Sequence, residues 1–159
     1  MIGGVAAVLI QAALTGSPAV GEVRPVAVRY TSLAEGCQEQ EEGPEGLHFF
    51  AHRCPGVPGH PVWIVYAEGV RMGLAFGERQ TVDGIFSTRR DPAWPVEWRG
   101  YRGPNFRPYA AIVRVEMIDG PQVLAVYGIR PDGSSCLRGT ETTNEAAREL
   151  ADATAARFC

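Results

Sequence analysis

The sequence predicts an α+β domain: an antiparallel sheet of about six or seven strands with one C-terminal helix packed on it, or alternatively a small β-barrel closed by that helix. Three observations carry this reading. Most of the chain alternates apolar and polar residues with a period of two, two pairs of such runs are joined by short turn sequences, and only the C-terminal stretch changes to a helical period. At 159 residues the chain has the length of one domain, and 45% hydrophobic content with a net charge of −3 excludes a disordered protein.

Met1 to Gly21 stands apart from this pattern. It has no charged side chain and an apolar centre from Val5 to Leu14, too short for the roughly 20 residues that cross a bilayer but suited to a secretory signal. Cleavage is expected after Ala19 or Gly21. Only the initiator amine is positive in this leading segment. The division is therefore residues 1–21 as signal peptide and 22–159 as a single disulfide-stabilised domain, periplasmic or secreted, with no later membrane span.

Within that domain Val26 to Tyr30 reads as a first strand. Glu35 to Gly46 follows as a loop with five glutamates and no base. His48 to Arg53 resumes as a strand ending at Cys54. Pro55, Gly56, Pro58, Gly59 and Pro61 predict a rigid loop, because proline cannot donate to a sheet ladder. Val62 to Tyr66 and Val70 to Phe76 form a hairpin about Ala67, Glu68 and Gly69. In its second arm Val70, Met72, Leu74 and Phe76 share one face, and Arg71, Gly73 and Ala75 the other.

Gly77 to Pro108 is the least regular stretch, with one short strand at Val96 to Arg99. Tyr109 to Ile118 and Gln122 to Arg130 then form a β-branched hairpin about Asp119, Gly120 and Pro121. Arg114 and Glu116 share a face of its first arm. Pro131 to Ser134 make the next turn. Thr142 and Glu145 have capping-box spacing, and Ala147, Leu150, Ala151, Thr154 and Phe158 recur at helical intervals.

Cys37, Cys54, Cys136 and Cys159 form an even set without a C-x-x-C spacing, which points to disulfides in an oxidising compartment and away from a zinc knuckle. Three connectivities exist. Cys37–Cys54 with Cys136–Cys159 is favoured, since each pair flanks one local segment and each loop would contribute about 3 kcal/mol. The second pair is narrowly allowed: a helix of about 15 residues runs roughly 22 Å, and Leu137 to Thr142 reaches about 20 Å.

All fifteen basic residues are arginine. The absence of lysine removes Schiff-base chemistry and the P-loop phosphate lysine, and the acidic balance argues against a nucleic-acid partner. No G-x-S-x-G or H-E-x-x-H pattern occurs. His48, His52 and His60 lie close to Cys54 in sequence and could hold zinc or copper. With Cys54 oxidised and no carboxylate beside His60, they read as surface or capping residues, and no metal or cofactor is called. The acidic segment Glu35 to Glu45 lacks the alternation of a calcium loop and reads as solvated. Paired carboxylates for a small hydrolase could be drawn from Glu68, Asp83, Glu97 and Glu116, without any spacing that joins two of them.

The best candidate site is an arginine–aromatic segment. It interleaves Arg89, Arg90, Arg99, Arg102 and Arg107 with Trp94, Trp98, Tyr101, Phe106 and Tyr109, against only Asp91 and Glu97. Guanidinium planes stack on aromatic rings and present forks to carboxylate or phosphate, so the segment suits an envelope protein or an anionic glycan. The same residues could equally close a small core of their own.

Cys37, His52-Arg53-Cys54-Pro55-Gly56, Gly59, Arg71 with Phe76-Gly77, Glu97-Trp98-Arg99, Pro108-Tyr109-Ala110, Cys136 and Phe158-Cys159 together give the chain a likeness. It resembles small exported bacterial proteins of unassigned function with a four-cysteine framework. That resemblance implies export and disulfides, and brings no catalytic residues. The expected function is a non-enzymatic binding or interaction domain of the bacterial cell envelope. The alternative is a protein inhibitor of an envelope-directed hydrolase such as a lysozyme, with the acidic segment opposing a basic enzyme, or else a small hydrolase. Ligand and oligomeric state are not legible in the residues.

Overall fold

The computed structural model describes residues 26–41, 50–67, 69–77, 82–88 and 95–157. The segment called a signal peptide lies outside these residues. The described chain is mostly antiparallel sheet with one C-terminal helix, as the periods imply, but the strands number ten and divide between two five-stranded sheets. Neither sheet closes into a barrel.

The first strand, β1 (Val26–Ser32), belongs to sheet A, whose other strands come late in the chain: β7 (Pro95–Tyr101), β8 (Arg107–Glu116), β9 (Gln122–Ile129) and β10 (Ser135–Glu141), in the order β1-β7-β8-β9-β10. Sheet B is the unbroken meander β2 (Gln38–Glu41), β3 (Phe50–Val57), β4 (His60–Ala67), β5 (Arg71–Phe76) and β6 (Asp83–Ser87). A single sheet of six or seven strands was expected because local alternation reveals a strand's two faces and not which sheet it joins.

The inner faces pack against each other. Val62, Ile64, Met72, Leu74, Phe76 and Phe86 from sheet B meet Val96, Trp98, Val113, Val115, Tyr127 and Ile129 from sheet A in one core. Sheet A is also covered from behind. Its outer residues Ala110, Ile112, Leu124 and Val126 bury against Ala147 and Ala151 of the helix α1 (Asn144–Thr154). This middle position explains why β8 and β9 read as continuous apolar runs and not as strict alternations.

The two expected hairpins are present, with Val62 opposite Phe76 and Ile112 opposite Val126. Four segments differ from expectation. The Pro55–Pro61 stretch is not a loop but the end of the β3–β4 hairpin, turning at Pro58 and Gly59. It tolerates its prolines because β2 pairs only with Phe50 to Arg53, and because the register shifts between Cys54 and Val57. Gly56 is required there, as a Cβ would sit 1.9 Å from the His60 carbonyl oxygen. The acidic segment contains β2, although residues 42–49 fall outside the described chain. The irregular stretch contains β6 and a full-length β7, and the connection after Cys136 is the strand β10.

The helix begins one residue later than the capping-box spacing suggests. Thr143 is its N-cap and accepts from the Ala146 amide at 3.2 Å, with Glu145 in the first turn. Ala147, Ala151 and Thr154 form the buried stripe, flanked by partly buried Leu150; Phe158 lies outside the described residues.

The disulfide Cys37–Cys54 forms as expected and ties the crossover between the sheets to β3. Cys136 carries no free thiol. Its expected partner, Cys159, lies outside the described residues. At the far end of the sandwich the Phe76 amide donates to Ser135 Oγ at 2.9 Å, and the Leu137 amide to Asp83 Oδ2 at 2.8 Å. Tyr127 Oη donates to the Asp83 carbonyl at 2.7 Å, and burial followed by the Asp83 charge pushes the phenol pKa upward.

Candidate functional site

Strand β7 alternates. Val96 and Trp98 enter the core, so Glu97, Arg99 and Tyr101 project from the outer face of sheet A toward the helix. On α1, Asn144, Arg148 and Asp152 recur every fourth residue and form one stripe along its side. The two periods meet in a chain of alternating charges.

At one end of that chain the guanidinium of Arg99 grips Asp152 with two bonds of 2.7 Å, from Nε to Oδ1 and from Nη2 to Oδ2. Its Nη1 donates to Glu97 Oε1 at 3.1 Å. Arg148 closes on the other side of Glu97, with Nη2 to Oε2 at 2.8 Å and Nε to Oε1 at 3.0 Å. Two phenols complete the set: Tyr30 Oη donates to Glu97 Oε2 at 3.1 Å and Tyr109 Oη to Asp152 Oδ1 at 2.6 Å.

Burial alone would raise the Glu97 carboxyl pKa, but bonds from Arg148, Arg99 and Tyr30 outweigh it and hold the group below its ordinary value. The same contest at Asp152 is won by Arg99 and Tyr109, again lowering the carboxyl. Arg99 is raised, first by its bonds to Asp152, and Tyr109 is raised by burial and then by Asp152. Both carboxylates are therefore fixed as anions at neutral pH. A glycosidase acid needs the opposite, a carboxyl kept protonated, and Glu97 is not arranged for that role.

Beside this chain, at the start of α1, a cavity of about 300 Å³ opens on the outer face. Tyr30, Pro95, Ile112 and Leu124 give it apolar and aromatic walls; Glu97, Arg114, Asn144 and Arg148 give it polar ones. The charged members of the lining are two guanidinium groups and one carboxylate. Among the described residues Arg148 commits only Nε and Nη2 to Glu97.

The arginine–aromatic segment does not form a single irregular loop. Arg89, Arg90 and Trp94 lie outside the described residues. Trp98 is 0% exposed, packs edge-on against Phe76 at 5.6 Å, and donates Nε1–H to Thr31 Oγ1 at 2.9 Å. It is a core residue because β7 is a central strand of sheet A. Arg99 belongs to the charge chain, and Tyr101 stacks on Tyr109 at 5.1 Å. Arg102 and Arg107 are exposed at either side of the β7–β8 connection.

Tyr30, Arg114, Asn144, Arg148 and Asp152 were missed. The i, i+4, i+8 spacing on α1 and the i, i+2 pair on β7 were the available signals; what brings them together is sheet order. His52 stacks edge-on against Tyr66 at 5.2 Å and His60 against Trp98 at 6.5 Å, so these two rings have separate surroundings; His48 lies outside the described residues. Among the described residues no three His, Cys, Asp or Glu side chains cluster as metal ligands, and no helix is long and apolar enough to cross a membrane. No protein-family model, curated protein or solved structure matches the chain.

Proposed function

We propose that this chain is an exported, non-enzymatic binding domain of the bacterial cell envelope, and that it takes an acidic sugar of an anionic glycan in the cavity beside Glu97 and Arg148. The observation that carries this reading is the cavity's lining. A tyrosine and apolar walls suit the face of a sugar ring, Asn144 and Glu97 suit its hydroxyls, and Arg114 with Arg148 suits its carboxylate. The cavity's size matches one or two sugar units, and Glu97, held by three partners, preorganises Arg148 without being consumed by it. The Cys37–Cys54 disulfide supports an oxidising compartment.

The test is calorimetric titration of the oxidised domain with oligosaccharides bearing uronic or muramic acid, beside their neutral counterparts. Binding of the acidic sugars, lost in Arg114→Met with Arg148→Met while the circular dichroism spectrum stays unchanged, is the expected result. Equal binding of neutral and acidic sugars, or binding that survives the double variant, would overturn it. So would inhibition of a muramidase by a domain that binds no acidic sugar, which would favour the inhibitor reading.

A further inference from the structure

The four sheet edges among the described residues are finished in different ways. β2 is four residues long and reads Gln-Glu-Gln-Glu. β6 is five residues long, its pairing with β5 shifts register, and Gly84 sits at φ +81°. β10 shifts register between Leu137 and Gly139, lies under α1, and donates its Leu137 amide to Asp83. Short length, charge, bulges and covering are the devices that keep an edge from pairing.

Among the described residues β1 is neither short, bulged nor covered, and it carries a single charge. It is seven residues long, pairs with β7 without a register shift from Val26–Tyr101 to Ser32–Pro95, and contains no proline. On its outer face Val26, Val28 and Tyr30 are 42%, 42% and 60% exposed in consecutive alternate positions. Its one charge, Arg29, is on the opposite face, with the guanidinium 4.7 Å over the ring of Phe106.

We propose that β1 pairs antiparallel with β1 of a second copy of this chain, joining two A sheets into one continuous ten-stranded sheet. The sequence Val-Ala-Val-Arg-Tyr selects both the partner and the register. A two-fold axis at Val28 sets Val28 against the partner's Val28 and Val26 against the partner's Tyr30, twice, so all three apolar residues find apolar cross-strand neighbours. It also sets Arg29 against the partner's Ala27. Moving the axis to Arg29 would face the two Arg29 side chains and oppose Val26 to Ser32. Charge and apolar matching therefore agree on one pairing. A single strand pair buries less than the roughly 1,200–2,000 Å² of a stable interface, so the dimer is weak and concentration-dependent.

Sedimentation velocity of the oxidised full-length chain from micromolar to millimolar concentration tests this. Val28 lies outside the acidic-sugar cavity, so its variants separate this proposal from the binding reading. The wild type should pass from monomer to dimer. Val28→Lys should weaken association roughly tenfold or more, because two ammonium groups then face each other at the axis. Val70→Lys, the same change at an exposed turn, should leave association unchanged, and both variants should melt like the wild type. Val28→Cys should cross-link two copies on mild oxidation, and Ser32→Cys should not. A chain that stays monomeric throughout, equal behaviour of the two lysine variants, or cross-linking at position 32 instead of 28 would overturn the proposal. So would a monomer that adds an unrelated extended peptide to β1.

Discussion

On the outer face of sheet A, β7, β8 and β9 present Glu97, Arg99, Ala110, Ile112, Leu124 and Val126 to the helix. On the outer face of sheet B, β3, β4 and β5 present Ala51, Arg53, Trp63, Val65, Gly73 and Ala75, and among the described residues no helix lies over them. There Trp63 serves as the cover: it is 6% exposed, donates Nε1–H to the Gly77 carbonyl at 2.9 Å and lies beneath the Arg53 guanidinium at 5.7 Å. One face is fastened by ionised groups whose attraction depends on pH. The other is fastened by a large ring and small neighbours, which do not titrate in the acid range.

The largest effect should come from the unhelped face. Trp63→Ala should cost about 3–4 kcal/mol in denaturant unfolding, since it removes a buried ring and its hydrogen bond together. Arg99→Ala comes next. Breaking a buried pair costs about 3–5 kcal/mol, but the Asp152 side chain is 42% exposed and water screens it, so about 2 kcal/mol is expected in the same measurement.

The comparison sharpens on acidification. Glu97 and Asp152 have folded-state pKa values below their unfolded ones, so their contribution is complete above about pH 5 and is lost as pH falls through the folded values. Unfolding free energy should be flat from neutral pH to that point and then decline. Trp63→Ala should keep this slope at lower overall stability, whereas Arg99→Ala should flatten it. An equal slope in both variants would show that the charge chain does not govern acid stability. Arg148→Ala should have the smallest effect, leaving the melting midpoint nearly unchanged, because its side chain is half-exposed and Glu97 keeps Arg99 and Tyr30 as partners.

Much of the fold was legible. The β4–β5 and β8–β9 hairpins announce themselves by paired apolar runs about Gly and Asp, and the helix stripe of Ala147, Ala151 and Thr154 by its spacing. The division into two sheets was hidden, because β1 finds its partner beyond the whole of sheet B and no local pattern records that. Pro55 reads as the end of β3, yet the structure accommodates it where β2 has already ended. Arg99 drew attention as a surface cation, yet the residue that neutralises it, Asp152, is brought near only when α1 folds back on β7. The cavity depends on the same event, since its walls come from β1, β7, β8, β9 and α1.

The order of strands also has a consequence for how the chain acquires its structure. β2 to β6 and β7 to β10 are two meanders, each built from neighbours joined by short connections, so each can close its ladder with little loss of loop entropy. β1 cannot. Val28 must wait for Arg99, and the intervening chain is the entire second sheet. Among the described strands the docking of β1 against β7 is therefore the most nonlocal pairing of the sandwich, and it carries the largest loop-closure cost.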